Sequence, residues 1–112
     1  MLPHERIPYS PIKTRTPLTL PGGARLVVWV IVNVEEWSPH EPLPRTVLSP
    51  PAGGSPVPDI PNWAWHEYGN RVGFWRLLDV FDRHKLPVVL AINGSAIEAY
   101  EPIARAALDR NW

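Results

Sequence analysis

The sequence contains no cysteine among its 112 residues. Disulfide bonds, thiolate metal ligands and a cysteine nucleophile are therefore excluded, and any metal site would have to use histidine and carboxylate side chains. A net charge is missing as well, because 11 basic side chains balance 11 acidic ones. The chain thus lacks the basic field that attracts nucleic acid or an anionic membrane surface, and we expect neither as a partner.

Long apolar segments are also absent. No stretch reaches the roughly 18 apolar residues that a membrane-spanning helix requires. The first residues likewise lack the apolar core of a secretory signal. We therefore expect a soluble, cytoplasmic protein.

Proline, in contrast, is abundant and unevenly placed. Five of the 15 prolines lie in residues 1–25 and eight lie in residues 38–61. Because proline fixes φ and lacks a backbone N–H, these segments are predicted to be an extended arm and one long loop. Loops of more than about 15 residues are uncommon inside compact domains and are usually functional. Since the loop begins just after Glu36, it is predicted to form the rim of an active site.

The most informative segment is an apolar run at residues 26–34, in which Asn33 is the one polar side chain. A strand of this kind has no polar face, so it is predicted to lie in a parallel sheet covered on both sides. Glu35 and Glu36 follow at its carboxyl end, the edge at which parallel α/β folds keep their reactive groups. Successive side chains of an extended chain point in opposite directions, so at most one of these acids is expected to face the site.

An amphipathic helix is predicted at residues 71–85, because apolar side chains recur there every three to four positions. Pro87 prevents its continuation and opens a second short apolar strand at residues 87–92. This order of elements predicts an α/β fold with a parallel β-α-β unit.

Two further helical segments are predicted after that strand. Ser95 has the spacing of a capping box, so it is expected to cap a short turn at residues 96–100. Pro102 is expected to start a last helix that reaches about Arg110. A sheet of two parallel strands has two open edges, so the chain is predicted either to be part of a larger unit or to complete itself as a homo-oligomer.

One segment is distinctive enough to suggest a family, and it is followed by the strand that ends Ala91-Ile92-Asn93-Gly94. Its sequence is Glu67-Tyr68-Gly69-Asn70-Arg71-Val72-Gly73-Phe74-Trp75-Arg76. Together they resemble the amino-terminal part of the polysaccharide deacetylase superfamily, and within it the allantoinase-like branch. The resemblance implies the first β-α-β-α units of an irregular (β/α) barrel over residues 26–112.

The resemblance also implies a function. Members of the superfamily hydrolyse C–N bonds other than peptides, so the expected substrate is a small molecule or an oligosaccharide, with an acetamide of an amino sugar or a cyclic amide as the reacting group. The chain would correspond to about the first third of such a hydrolase, and we expect it to be inactive alone.

Specific roles follow by position. In metal-using members the first strand ends in two aspartates, one the catalytic base and the other a metal ligand, and Val34-Glu35-Glu36-Trp37 occupies that place here. The resemblance therefore implies that Glu35 is the catalytic base and Glu36 a ligand of a divalent metal such as zinc. Whether a metal is used stays open, because the chain has no His-x-x-x-His pair and allantoinase-like members are thought to work without one.

Other side chains near the loop are candidates for substrate binding. Trp65 belongs to an aromatic cluster that could stack on a sugar or heterocycle, or could simply pin the loop to the domain. Arg71 could clamp a substrate oxygen, or form a salt bridge with Glu67 or Asp59. Asn33 has the same facing parity as Glu35 and could orient substrate, although capping of the sheet end is the simpler role.

Two histidines flank the loop, His40 and His66. Each could be a general acid or a metal ligand, roles that lone loop histidines seldom have.

The alternative to an enzyme is a non-catalytic module, in which the proline-rich arm and tryptophan-rich loop form a binding surface and the β-α-β-α part dimerises through an open edge.

Overall fold

The computed structural model describes residues 5–49, 54 and 57–112. Six regular elements follow one another along this part of the chain. They are β1 (Val30–Val34), α1 (Ile60–Tyr68), α2 (Phe74–His84), β2 (Val88–Ile92), α3 (Gly94–Ala99) and α4 (Glu101–Leu108). A π-helical turn, Gly69–Gly73, joins α1 to α2 without a break, and two short 3-10 turns, Ile12–Thr14 and Pro21–Gly23, lie before β1.

The sheet of the described residues has two parallel strands, β1 and β2. Val30 lies opposite Val88 and Val34 lies opposite Ile92. The predicted parallel β-α-β unit is thus confirmed, and the fold is of the α/β type with a small sheet. The strand at residues 26–34 is shorter than predicted, because its first four residues are exposed and unpaired with β2.

The core lies on one face of this sheet. Val34 of β1 packs with Phe74 and Leu78 of α2 and with Ile103 of α4. On the opposite face Ile31 is 47% exposed and Val89 is 41% exposed. The prediction that helices cover both sides of β1 is therefore wrong for the described residues, because α2, α3 and α4 all contribute to a core on the same side.

The helix predicted at residues 71–85 begins eleven residues earlier, at Ile60. Asp59 caps it by accepting a hydrogen bond from the backbone N–H of Asn62 at 3.2 Å, and Pro61 lies in the first turn, where its missing N–H costs nothing. The long loop therefore ends at Asp59, and His66 lies on a helix. The other end agrees with the prediction, since α2 ends at His84.

The cap of α3 is Asn93 and not Ser95, which corrects the predicted capping box. The Oδ1 atom of Asn93 accepts a hydrogen bond from the backbone N–H of Ala96 at 3.2 Å. Asparagine and serine are both good N-cap residues, so the spacing alone could not separate them. The last helix runs over Glu101–Leu108, with Pro102 in its first turn as expected. None of the helices in the described ranges is long and apolar enough to cross a membrane.

Candidate active site

A cavity of about 430 Å³ lies between the end of β1 and the helical segment that runs from α1 through the π-helical turn into α2. Its lining residues include acidic, basic and aromatic types. The polar and aromatic residues that line it are Asn33, Glu35, Trp37, Arg45, Trp65, His66, Tyr68, Asn70 and Phe74. The cavity thus lies at the carboxyl end of β1, where parallel α/β folds keep their binding sites.

The two acids at the end of β1 take different directions. Glu35 lines the cavity. The Oε2 atom of Glu36 instead accepts a hydrogen bond from the hydroxyl of Tyr100 at 2.7 Å. The separation is the one expected for successive side chains of an extended chain, and it leaves Glu35 as the acid that a ligand in the cavity could contact.

Side-chain amides hold the backbone of both acids. The Nδ2 atom of Asn70 donates to the carbonyl oxygen of Glu35 at 3.0 Å. Asn93 bonds Glu36 twice, because its Oδ1 accepts from the Glu36 N–H at 3.1 Å and its Nδ2 donates to the Glu36 carbonyl at 3.1 Å. The polypeptide at the mouth of the cavity is therefore fixed from two sides.

Glu67 joins this region from α1, although it is only 6% exposed. One of its oxygens contacts the hydroxyl of Tyr100 and the other accepts from the guanidinium of Arg71. Burial by itself would raise the pKa of Glu67, but the hydrogen bonds from Tyr100 and Arg71 outweigh it and lower the pKa below its ordinary value. The Glu67 carboxylate is therefore charged at neutral pH.

The same contacts act on Tyr100 in the opposite direction. Burial, followed by the hydrogen bonds to Glu67 and Glu36, raises the pKa of the Tyr100 hydroxyl well above its ordinary value of 10.0. The hydroxyl stays protonated, and its single proton can be donated to only one of the two carboxylates at a time. Tyr100 thus bridges α1 and the end of β1 as a neutral hydrogen-bonding group.

The structure brings some of the predicted site residues together and separates others. Asn33 and Trp65 line the cavity together with Glu35. Glu36 and Arg71 lie in the neighbouring network around Tyr100 and Glu67. The salt bridge between Arg71 and Glu67 was one of the two roles considered for Arg71, and it is the arrangement observed. The catalytic, substrate-binding and metal-binding roles of these residues remain predictions.

The two histidines that flank the predicted loop also differ. The ring of His66 lines the cavity and stacks on Trp37, with 4.3 Å between the ring centroids. Its Nδ1 atom is buried and makes no hydrogen bond with any described residue. His40 is exposed, and its backbone N–H donates to the hydroxyl of Ser38 at 3.2 Å.

Several residues of the site were missed in the sequence. Glu67 was considered only as a salt-bridge partner of Arg71, for which the i, i+4 spacing of a helical ion pair is a visible signal. Asn93 directly follows a strand and could have been recognised as a cap. Tyr100 and Arg45 carry no local signal, because only the fold brings them to the end of β1.

A metal site is not evident in residues 5–49, 54 and 57–112. No group of three or more histidine, aspartate or glutamate side chains in these ranges is arranged to hold an ion. Glu36 has Tyr100 as its partner, and the next carboxylate, Glu67, is already bound by Arg71. The described residues alone therefore do not fit a metal, and the ligand role of Glu36 has no supporting donor set.

Comparison with known proteins gives one informative similarity. The chain is 32% identical over 99 residues to a protein of Schizosaccharomyces pombe named "Putative polysaccharide deacetylase". The match covers 80% of this chain and 30% of that relative, so the chain spans less than a third of the relative's length. No family model and no solved structure matches. This partial homology supports a relationship of the chain to the polysaccharide deacetylase superfamily.

Proposed function

We propose that the chain is part of a polysaccharide deacetylase-like hydrolase that cleaves a non-peptide C–N bond, with Glu35 as the general base. The observation that carries the proposal is the placement of Glu35 in the cavity, while the neighbouring Glu36 is bound to Tyr100. The partial similarity to the S. pombe relative supports the reaction class. We also propose that β1, α2 and β2 belong to a (β/α) barrel and that the chain alone does not complete the catalytic site.

The proposed mechanism needs a carboxylate next to a polarised carbonyl. Glu35 takes a proton from water as the water oxygen attacks the carbonyl carbon of the substrate. Arg45, which lines the same cavity, is proposed to stabilise the negative charge that develops on the carbonyl oxygen. Collapse of the tetrahedral intermediate breaks the C–N bond, and Glu35 returns its proton to the departing nitrogen. The products are a carboxylic acid and a free amine.

The proposed substrate carries an acetamide on a sugar ring. Trp37, Trp65 and Tyr68 line the cavity, and aromatic faces stack on the apolar faces of sugars. Asn33 lies beside Glu35 in the cavity wall and could hydrogen-bond the amide. A cyclic amide, the substrate type of the allantoinase-like branch, is the alternative within the same reaction class.

Ligand binding provides the first test. Addition of an acetylated chitooligosaccharide to the ¹⁵N-labelled chain should shift the indole signals of Trp37 and Trp65. The indole signal of Trp29, which is 68% exposed and lies before β1, should not move and serves as the internal control. Allantoin is tested in parallel. If neither compound moves the Trp37 and Trp65 signals at millimolar concentration, the proposal that the cavity of this chain binds either substrate class is wrong.

Turnover provides the second test. We expect no release of acetate or of ring-opened product by the 112-residue chain, so turnover by this chain would overturn the proposal that it is incomplete. Such turnover would support the reaction class only if Glu35→Gln, which removes the base without changing its size, abolishes it. Glu98→Gln, at an exposed glutamate of α3, is the matched control.

A second candidate function is a non-catalytic module that dimerises. It is favoured by the uncovered face of the sheet, where Ile31 and Val89 lie side by side and are both more than 40% exposed. This function predicts a discrete dimer that requires that face.

A further inference from the structure

We propose that Asn70 and Asn93 are positioning residues, which hold the peptide between Glu35 and Glu36 so that only Glu35 presents its carboxylate to the cavity. This inference rests on the proposed role of Glu35. Neither asparagine is needed for the chemistry of C–N hydrolysis, and both act on the backbone of the acids through their side-chain amides.

Asn93 bonds the chain at the place where the sheet ends. Pairing between β1 and β2 ends at Val34 and Ile92, with a last backbone hydrogen bond from the Asn93 N–H to the Val34 carbonyl at 3.4 Å, and no described residue gives Glu36 a backbone partner across the sheet. The side chain of Asn93 supplies one, because it accepts from the N–H of Glu36 and donates to its carbonyl, each at 3.1 Å. One side-chain amide thus imitates the hydrogen bonds of a further strand residue and extends the ladder to the second acid.

Asn70 bonds the carbonyl of Glu35, which lies on the other side of the same peptide. Asn70 donates to it at 3.0 Å and is itself only 7% exposed. Asn70 lies within the π-helical turn Gly69–Gly73. A π-helical turn contains one more residue than an α-helical turn and is frequently found at functional sites. Here it brings a buried amide to the end of β1.

These hydrogen bonds affect the directions of the Glu35 and Glu36 side chains. With its peptide held on both sides, the extended backbone sends consecutive side chains to opposite faces. The Glu36 carboxylate reaches the hydroxyl of Tyr100, and Glu35 is left to line the cavity. The cap of α3 uses the same Oδ1 atom of Asn93, so α3 and Glu36 are coupled through one side chain.

The test must separate positioning from ordinary stabilisation, and asparagine-to-aspartate variants allow this. Asn93→Asp keeps the oxygen that caps α3 and accepts from Glu36, but it loses the donor to the Glu36 carbonyl. Asn70→Asp likewise loses the donor to Glu35 without a change of size. Asn93→Ala removes every hydrogen bond of that side chain. Ser95→Ala, in the first turn of α3, and Asn111→Asp, at an exposed asparagine, are the matched controls.

Two NMR measurements on the folded chain give the readout. The first is the set of three-bond couplings that report χ1 of Glu35, which should show one rotamer in the wild type and averaging in Asn70→Asp, Asn93→Asp and Asn93→Ala. The second is hydrogen exchange of the Glu36 amide, which should accelerate about tenfold in Asn93→Ala, as expected from loss of one hydrogen bond. In Asn93→Asp this amide should stay protected, because its acceptor is retained. The two controls should leave both readouts unchanged.

The proposal is overturned if Asn70→Asp and Asn93→Asp fold and keep the single rotamer of Glu35. It is also overturned if the controls alter that rotamer equally. Neither measurement needs a ligand. Failure of positioning is therefore distinguishable from failure of the proposed function, which is decided by the indole shifts and by turnover.

Discussion

Asparagine side chains stabilise the irregular parts of this chain, because each amide can both donate and accept. Asn62 is the clearest example and is 4% exposed. Its Oδ1 accepts from the backbone N–H groups of Val47 and Leu48, at 2.8 and 2.7 Å, and its Nδ2 donates to Leu48 and Asp59, at 3.0 and 2.8 Å. The proline-rich loop is thus tied to the start of α1 by one side chain.

Replacement of that side chain should be costly. Asn62→Ala leaves backbone groups of Val47 and Leu48 without their partner, so we expect the free energy of unfolding to fall by about 2 to 3 kcal/mol. Urea denaturation measures the change. Asn33→Ala, at an exposed asparagine, is the control and should change it by about 0.5 kcal/mol or less. Equal effects of the two substitutions would contradict this role of Asn62.

Glu67 should make stability depend on acid pH. Its pKa lies below the ordinary value of 4.5 in the folded chain, so ionised Glu67 stabilises the fold above that pH, and the contribution disappears as pH falls through the lowered pKa. In Glu67→Gln the decline in stability below pH 4.5 should therefore be shallower than in the wild type. Urea midpoints between about pH 6 and about pH 3 measure this. Glu98→Gln should follow the wild-type curve, and a wild-type slope in Glu67→Gln would refute the assignment.

At the scale of the elements, α2 and β2 could be predicted from the sequence and the first half of the long helix could not. The signal for its start was present, since Asp59 precedes Pro61 with cap spacing. The apolar stripe of α2 is regular only from Phe74, because the π-helical turn Gly69–Gly73 changes the period between α1 and α2. A search for one continuous 3.6-residue period therefore loses the earlier helix.

In the candidate site, likewise, some residues have a local sequence signal and others are brought together only by the fold. The position of Glu35 at the cavity could be predicted, because Glu35 directly follows an apolar strand and this is a local signal. The contacts of Glu36 with Tyr100 and Asn93 join positions 64 and 57 residues apart, and no local pattern encodes such distances. The choice of Asn93 over Ser95 as the cap depends on the same contact, because only Asn93 also bonds the end of β1.

Packing of α4 against the sheet should contribute most of the stability of the carboxyl-terminal part. Ile103 is 1% exposed and packs in the core with Val34 and Phe74. Ile103→Ala should lower the free energy of unfolding by about 2 to 4 kcal/mol, through lost burial and the cavity that remains. Ile97→Ala on α3 removes the same atoms from a side chain that is 45% exposed, and it should cost about 1 kcal/mol or less. Thermal denaturation that ranks the two variants in the opposite order would contradict this packing.

At the scale of the whole molecule, the chain is expanded. Its radius of gyration is 19.8 Å, compared with about 13 Å for a compact domain of this length. The proline-rich arm contributes exposed apolar side chains, such as Leu18 at 87% exposure. The sheet contributes a different kind of surface, because Ile31 and Val89 form an ordered pair on parallel strands. An ordered apolar face next to an open strand edge favours association with a second surface of the same kind.

Association through the uncovered face of the sheet can be tested against association through the proline-rich arm. We expect the average mass measured by light scattering to rise with protein concentration, and Ile31→Lys to reduce the rise by placing a charge on the uncovered face. Leu18→Lys adds the same charge to the exposed arm and should leave association unchanged. A mass that levels off at twice that of the monomer would favour the dimerising module, whereas a continued rise would indicate non-specific contact through the sheet. A wild-type chain that stays monomeric at all concentrations, or an equal effect of both lysines, would show that the sheet face does not drive association.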